Sequence, residues 1–425
     1  MGVSGVTVRT FSGGAGCGKT YQLMLALREY LLQTPLKEGQ KVLALTFMHG
    51  SRRRLDERLN SIPELSKKYD CTTIDSFAWR IVRRWLTLAE QLGFGGLAVD
   101  QYEKVSDAAA SLLEVDVVCK WVAATFPILL VDEAQDLTVE RLRIVAALAK
   151  HLEMLGAADE FQCLDEQLRP NPTCLWLAQA GAVEDLAVPK RTSVPALLQA
   201  ASAIRAGNAP VGNGVFQIML TPNPALAGTF LANALTWYGG GKKVAIITPG
   251  DGQYARSVTG WVATNTTKKG CGPHEIRWEQ SESRAAGEFL NALKLPDESD
   301  VAQVMAAVLA GANPRVTSDV RNWLDIQRRV SGRNTFSKEE VWLTVKKSFS
   351  NSRRGQRDTR TGFRAMTVHG AKNREFDIAI VLWPAATMGT DDQKRRLLYN
   401  AVTRAKQRCL ILVQAKTSLQ KSPFV

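Results

Sequence analysis

The sequence predicts an α/β protein made of two parallel-sheet units, each carrying a reduced, mainly helical insertion. Three observations lead there. Apolar, strand-like runs that end in polar or acidic residues recur at 42–47, 128–132, 244–248, 378–382 and 409–413. Stretches with apolar residues at helical spacing, such as 141–152, 194–206 and 394–404, separate them. Strand alternating with helix builds parallel sheets covered by helices on both faces. The third observation is a glycine-rich loop between a β-branched run at 6–11 and a helical pattern through Leu23, Leu27, Tyr30 and Leu31. A chain of 425 residues suits two to four structural units. The alternation breaks twice, at 81–121, which reads as helical, and at 251–354, where a Gly/Thr/Lys-rich stretch precedes helical segments. The expected boundaries are therefore 1–80 with 122–188 for the first unit and 81–121 for its insertion. The second unit takes 189–250 with 355–425, and its insertion 251–354.

Residues 13–20 read Gly-Gly-Ala-Gly-Cys-Gly-Lys-Thr. Small residues let the backbone curl so that several N–H groups face one anion; Lys19 then reaches terminal phosphates and the Thr20 hydroxyl faces a magnesium ion. The following helix adds its positive N-terminal end to the same anion site. Further on, Leu129-Leu130-Val131 runs into Asp132-Glu133-Ala134-Gln135-Asp136. An apolar strand ending in acid can hold that magnesium and orient a water against a γ-phosphate. The pair of motifs predicts that the chain binds and hydrolyses a nucleoside triphosphate, with ATP and Mg²⁺ as the expected ligands.

Composition narrows the partners. Hydrophobic residues make up 45% and charged residues 22%, enough for ordinary cores and too ordered for a broadly disordered chain. A formal charge of +13 fits a polyanion. The excess gathers at Arg52-Arg53-Arg54, at Arg80, Arg83 and Arg84, and at Arg353, Arg354, Arg357, Arg360 and Arg364. Clustered arginines beside a triphosphate site point to nucleic acid, whose phosphates supply most of the affinity in such complexes. Seven scattered cysteines with no Cys-x2-Cys pair argue against a disulfide framework, a zinc site or an iron–sulfur cluster, and fit a reducing, cytoplasmic location. Neither a signal peptide nor a membrane span is expected.

The motifs resemble, in order, those of the UvrD/Rep group of superfamily-one DNA helicases. Residues 13–20 resemble the family's first motif. Thr46-Phe47 with the segment 52–59 resembles the stretch that contacts single-stranded DNA, and Thr73-Ile74-Asp75-Ser76-Phe77 the Thr-x-His-Ser-Phe box. Residues 132–136 are similar to the Asp-Glu-x-Gln-Asp box, and Asp159 through Gln162 to the Gly-Asp-x-x-Gln sensor. Arg191 falls on the arginine of the Asn-Tyr-Arg-Ser stretch. Thr367 through Phe376 is similar to Thr-x-His-x-x-Lys-Gly-x-Glu-Phe, and Arg395 through Ala405 to the closing Arg-Arg-Leu-x-Tyr motif with Thr-Arg-Ala.

The resemblance implies two RecA-like P-loop NTPase domains with ATP in the cleft between them. It assigns catalysis to Lys19, Asp132, Glu133, Gln162, Arg191 and Arg404, with Thr20 and Asp132 holding the metal. Nucleotide contacts fall to Gly14, Ala15, Gly16, Cys17, Gly18, Lys19, Thr20, Tyr21, Arg191, Glu375 and Arg404. Gln135 is expected to link the site to the neighbouring domain. DNA contacts fall to Thr46, Phe47, Ser76, Phe77, Thr367 and His369, although Phe77 fits a core position nearly as well and His369 a brace between domains. The implied activity is ATP-driven translocation or unwinding on single-stranded DNA, 3′ to 5′, with partial duplex or RNA as other polymers. The different-class alternative is an ATP-gated regulatory or sensor subunit of a nuclease, defence or recombination complex.

Departures from the family pattern refine this. Lys190 stands where the family has an adenine-stacking tyrosine, and no glutamine motif is found before the first strand, so relaxed base selectivity is expected. Asp75 replaces a histidine, Asp165 a base-stacking tyrosine, and Asn373-Arg374 a Gly-Leu pair, which alters the strand grip. Both insertions are reduced, which implies weak duplex separation alone and a protein partner, such as a nuclease or a replication or defence subunit.

Overall fold

The computed structural model describes residues 7–47, 49–97, 101–279, 282–352 and 363–425. The first α/β lobe follows the alternation of the sequence: β1 (Val8–Gly13), α1 (Lys19–Gln33), β2 (Val42–Thr46), α2 (His49–Asn60), β3 (Tyr69–Thr73) and α3 (Ile74–Arg84). Three further helices follow, α4 (Leu86–Gln91), α5 (Tyr102–Leu113) and α6 (Asp116–Thr125). The lobe closes with β4 (Ile128–Asp132), α7 (Val139–Leu148), β5 (Glu153–Ala158), α8 (Pro172–Ala180) and β6 (Ala182–Leu186). Its six strands pair in parallel in the order β3-β2-β4-β5-β1-β6.

Two cores flank this sheet because side chains alternate faces along a strand. Leu43, Leu45, Leu129 and Val131 pack with Phe77, Ala109 and Ile144 on one side. Val42, Ala44, Ile128 and Leu130 pack with Leu23, Leu27 and Leu55 on the other. The helices expected as an insertion at 81–121 belong to the first of these cores, through Ala108, Leu112 and Val118. Register aligns the functional ends: Thr46 pairs with Asp132, Ser12 with Ala158 and Gly13 with Leu186. Loops carrying the site therefore leave one edge of the sheet, at the carboxyl ends of its strands, where open α/β sheets bind ligands.

The second lobe comprises α9 (Pro195–Ala206), β7 (Phe216–Leu220), α10 (Pro224–Tyr238), β8 (Val244–Thr248), α11 (Gln253–Thr264) and β9 (Ile276–Trp278). After an excursion it resumes with β12 (Phe363–Thr367), α16 (Val368–Ala371), β13 (Phe376–Trp383), α17 (Asp391–Val402) and β14 (Ala405–Val413). Its sheet runs β7-β14-β13-β8-β12-β9. The strands from β7 to β12 pair in parallel. Thr390 caps α17 by accepting from the Gln393 N–H, and Asp391 and Asp392 complement its dipole.

The excursion forms a separate compact unit over residues 278–361. It contains α12 (Glu282–Ala292), β10 (Glu298–Asp300), α13 (Val301–Ala310), α14 (Pro314–Ser331), β11 (Thr335–Ser337) and α15 (Lys338–Ser352). β10 and β11 pair antiparallel, and Val304, Val308, Val320, Leu324, Phe336 and Val341 form its core. This corrects the expected insertion boundary of 251. Residues 251–277 belong with the second lobe, because α11 buries Tyr254, Val258 and Val262 and packs on α10. Of the third arginine cluster, Arg353, Arg354, Arg357 and Arg360 lie outside the described residues.

Candidate active site

The glycine-rich loop leaves β1 and enters α1 at Lys19. Gly16 and Gly18 take φ of 81° and 85°, the left-handed region that glycine enters without steric cost. At Gly16 there is no room for any side chain: an added Cβ would come 2.6 Å from the Cβ of Arg191. The Lys190 N–H donates to the Gly16 carbonyl at 2.6 Å, so the segment carrying Arg191 lies directly on the loop. Lys19 Nζ donates to the Gly13 and Gly14 carbonyls at 2.8 and 3.1 Å and stands 3.7 Å from Asp159 Oδ2.

Thr20 Oγ1 donates to Asp132 Oδ2 at 3.3 Å. Burial, followed by the neighbouring Glu133, pushes the Asp132 carboxyl up to about 7 against the opposing pull of Lys19, Thr20 and Arg58. A hydroxyl beside a buried carboxylate, next to a phosphate loop, fits a hard divalent cation that completes its shell with phosphate oxygens and water. Among the described residues no group of three or more His, Cys, Asp or Glu could hold such an ion unaided.

Glu133 follows Asp132 in a left-handed conformation, φ 59°, uncommon for a residue with a side chain and costly without support. Gln135 supplies some: its Nε2 donates to Glu133 Oε2 at 2.6 Å, while its Oε1 accepts from the Asp159 N–H at 2.9 Å. Both bonds stay within the first lobe, so Gln135 does not make the expected link to the neighbouring domain. Asp159 in turn accepts from Gln162 Nε2 at 2.6 Å. Gln162 reaches the second lobe, its Oε1 accepting from Arg404 Nη2 at 3.0 Å.

Arg191 lies against the glycine loop, and Arg404 meets Gln162. Arg191 Nε donates to Glu375 Oε1 at 2.9 Å and its Nη1 to the Thr403 carbonyl at 3.0 Å. Burial works to raise the Glu375 pKa, but Arg191 and Lys406 outweigh it and hold the carboxyl at about 2. Arg404 is 1% exposed; burial, with Arg191 beside it, pulls the guanidinium down to about 9. A buried cation in that state is stabilised by any anion that arrives. Tyr21 is exposed, and Lys190 Nζ sits 5.5 Å from the centre of its ring.

Asp136, rather than Gln135, bridges the lobes. Lys372 Nζ donates to both Asp136 oxygens at 2.6 Å, with side chains only 6% and 10% exposed. Beside it Asn373 Nδ2 donates to Ser51 Oγ at 2.7 Å. Asn373 adopts φ 61°, which explains why asparagine can replace the family's glycine there. Two residues escaped the sequence reading. Arg205 Nη1 donates to Asp159 Oδ1 at 2.9 Å and to the Tyr399 hydroxyl at 3.3 Å, and that hydroxyl accepts from the Ala15 N–H at 2.8 Å. With Gly13, Gly14 and Arg191 they line a cavity of about 300 Å³ against the loop. Arg205 sits on an ordinary amphipathic helix and had no motif to mark it; Tyr399 lay inside a motif and could have been found.

The residues expected on DNA divide. Phe77 is 1% exposed and packs in the core with Leu43 and Ile144, so its core reading is the correct one and its ring offers no face to a base. Thr46, 1% exposed at the end of β2, is likewise no surface contact. Phe47 is half-buried, but Arg141, pinned to Asp75 at 2.7 Å, lies 5.2 Å from its ring centre. Ser76 and Thr367 serve helix starts: the Thr73 hydroxyl accepts from the Ser76 N–H, and Thr367 from the Gly370 N–H. His369 is exposed and lines a cavity of about 790 Å³ at the carboxyl ends of the second lobe's strands.

Residues 362–412 match the profile of a UvrD-like helicase C-terminal domain, and residues 4–166 that of an AAA domain. No curated protein matches the chain. Among solved structures, the Arterivirus nonstructural protein 10 (helicase) aligns at 12% identity with a TM-score of 0.41. The same helicase in complex with DNA aligns at 12% identity and 0.40. The alignments cover 98% and 97% of this chain but 62% and 63% of those chains, so the chain spans less than two thirds of their length. The chain thus carries, in order, a segment that matches an AAA domain and a segment that matches a UvrD-like helicase C-terminal domain.

Proposed function

We propose that the chain hydrolyses ATP between its two RecA-like lobes and uses the cycle to move along single-stranded DNA, 3′ to 5′ as the family resemblance implies. The observation that carries this reading is the meeting of Arg191 and Arg404, both beyond the first sheet, with the glycine loop and Gln162. Phosphoryl transfer depends on charge set around the γ-phosphate more than on covalent chemistry. Lys19 serves from one side and the two arginines from the other, each such arginine typically worth ~10³–10⁵ in rate. Glu133 orients the attacking water and accepts its proton on a carboxylate oxygen. Mg²⁺, held by Thr20 and Asp132, would neutralise charge between the phosphates. Gln162, bonded to Arg404 and to Asp159, couples the state of the nucleotide to the separation of the lobes.

For the polymer, support comes from the charge of +13 and from the cavity at the strand ends of the second lobe, lined in part by Gly250, Gln253, Tyr254 and His369. A second reading, a nucleotide-gated subunit that controls a nuclease or other effector, is favoured by the burial of Phe77 and the covering of Phe47 by Arg141. One assay separates them: ATP turnover with single-stranded DNA, single-stranded RNA, duplex or no polymer. Strong stimulation by single-stranded DNA supports the motor, and turnover indifferent to polymer supports the gated subunit. Stimulation by RNA equal to or above that by DNA would turn the polymer assignment to RNA. The replacement of adenine-stacking tyrosine by Lys190 supports GTP or CTP turnover comparable with ATP, and strict ATP selectivity would refute that part.

A further inference from the structure

The arginines at 52–54 read in the sequence as part of a polyanion surface, yet one of them faces the nucleotide cleft. β2 ends at Thr46, whose register partner is Asp132, and α2 begins three residues later and packs on β2 and β3. Ser51, Arg54 and Arg58 lie at i, i+3 and i+7, one stripe of that helix. Its first member is buried against the second lobe, where the Ser51 hydroxyl accepts from Asn373. Arg58, at the far end of the stripe, acts electrostatically on Asp132. Arg54, between them, acts on Glu133, Glu375, Arg191 and Arg404. Leu55 and Leu59, turned to the other side, are in the core and fix the helix's orientation.

Arg54 differs from the arginines around it in being uncommitted. Arg191 is held by Glu375 and the Thr403 carbonyl, and Arg404 by the Asn400 carbonyl and Gln162. Arg54 is exposed and makes no hydrogen bond or ion pair among the described residues. Crowding by protein lowers its pKa; Glu375 and Glu133 oppose that, and Arg191 and Arg374 add to it. A guanidinium with no partner of its own, beside the arginines and acids of this cleft, is free to engage a polyphosphate.

We propose that Arg54 is a third guanidinium of the nucleotide site, supplied by the same lobe as the glycine loop, and that it contacts the terminal phosphate of the bound nucleoside triphosphate. This rests on the triphosphate-binding reading above. It also ties the segment that resembles a DNA-contacting stretch to the nucleotide itself, because the helix that presents Arg54 begins where β2 delivers Thr46 and Phe47.

The test compares the affinities of a fluorescent non-hydrolysable ATP analogue and of fluorescent ADP for the unaltered chain, Arg54→Ala, Arg54→Lys and Lys19→Ala. Single-stranded DNA affinity and circular dichroism are measured alongside. Loss of one charge-assisted contact predicts that Arg54→Ala weakens the ATP analogue about tenfold or more, with ADP and DNA affinities within about twofold. Arg54→Lys should recover part of the loss. An unchanged preference for triphosphate over diphosphate in both Arg54 variants overturns the proposal, as does a loss confined to DNA affinity. If the alanine variant is misfolded, the lysine variant decides by the same ratio. Failure of the unaltered chain to bind either nucleotide would end the underlying reading as well; binding that depends on Lys19 but not on Arg54 would end this one alone.

Discussion

Replacing Lys372 by methionine removes the cation of the pair that joins the lobes and leaves Asp136 buried without a partner. The two side chains are 6% and 10% exposed, and Nζ reaches both carboxylate oxygens at 2.6 Å. Removing one partner of such a pair typically costs ~3–5 kcal/mol, far above the ~0–1 kcal/mol of a surface pair. The carboxyl has an escape, since burial already holds its pKa at about 6 against the pull of Lys372. Without that pull it rises further. A carboxyl raised in the folded state destabilises the fold as pH climbs from its unfolded value, near 3.9, through the raised one. The variant should therefore lose most at pH 8 and much less at pH 5, where Asp136 is largely protonated. Urea unfolding followed by circular dichroism at both values reads the difference. Pairing Lys372→Met with Asp136→Leu should restore most of the loss, because no buried charge remains. A loss below ~1 kcal/mol at pH 8, or one equal at the two pH values, would refute the reasoning.

Other consequences follow from the same geometry. Arg404→Ala should lower kcat for ATP by ~10³ or more with a change in ADP affinity of less than about tenfold, measured by steady-state turnover and titration. Glu133→Gln should abolish turnover while Mg²⁺-dependent nucleotide binding persists, because the change removes a proton acceptor and leaves Thr20 and Asp132 in place. The Arg191–Glu375–Lys406 cluster holds Glu375 at about 2, below its unfolded value, so its stabilisation is present above about pH 4.5 and is lost as pH falls toward 2. Glu375→Gln should accordingly lower Tm at pH 7 and have almost no effect near pH 2.

The nucleotide site was legible because its chemistry is local. Gly13 to Thr20 needs glycines where φ is positive, and an apolar strand ending in Asp132 announces itself by composition alone. Arg191 and Arg404 were marked only by motif context, since nothing in an isolated arginine says which lobe it will face. β6, reading Ala-Val-Glu-Asp-Leu, is an exposed edge strand with two acids and gave no apolar signal. Residues 259–272 read as an insertion from their Gly, Thr and Lys content, yet α11, which runs through the first six of them, packs on α10 and continues the second lobe. Phe77 was ambiguous for a physical reason: an aromatic residue spaced one turn from Ile81 fits a core and a stacking platform alike, and only the third dimension decides. Arg205 and the Lys372–Asp136 pair depend on contacts between residues far apart in the chain, which periodicity cannot register.

Triphosphate is expected to be gripped from both lobes at once. A crystal structure with Mg²⁺ and a non-hydrolysable ATP analogue tests it directly. The γ-phosphate is predicted within hydrogen-bond distance of Lys19 Nζ and of the Arg191 and Arg404 guanidiniums, with the ion on Thr20 and Asp132. A nucleotide held by the glycine loop alone, with both arginines still turned to Glu375, Thr403 and Gln162 and out of reach of the phosphate, would contradict it.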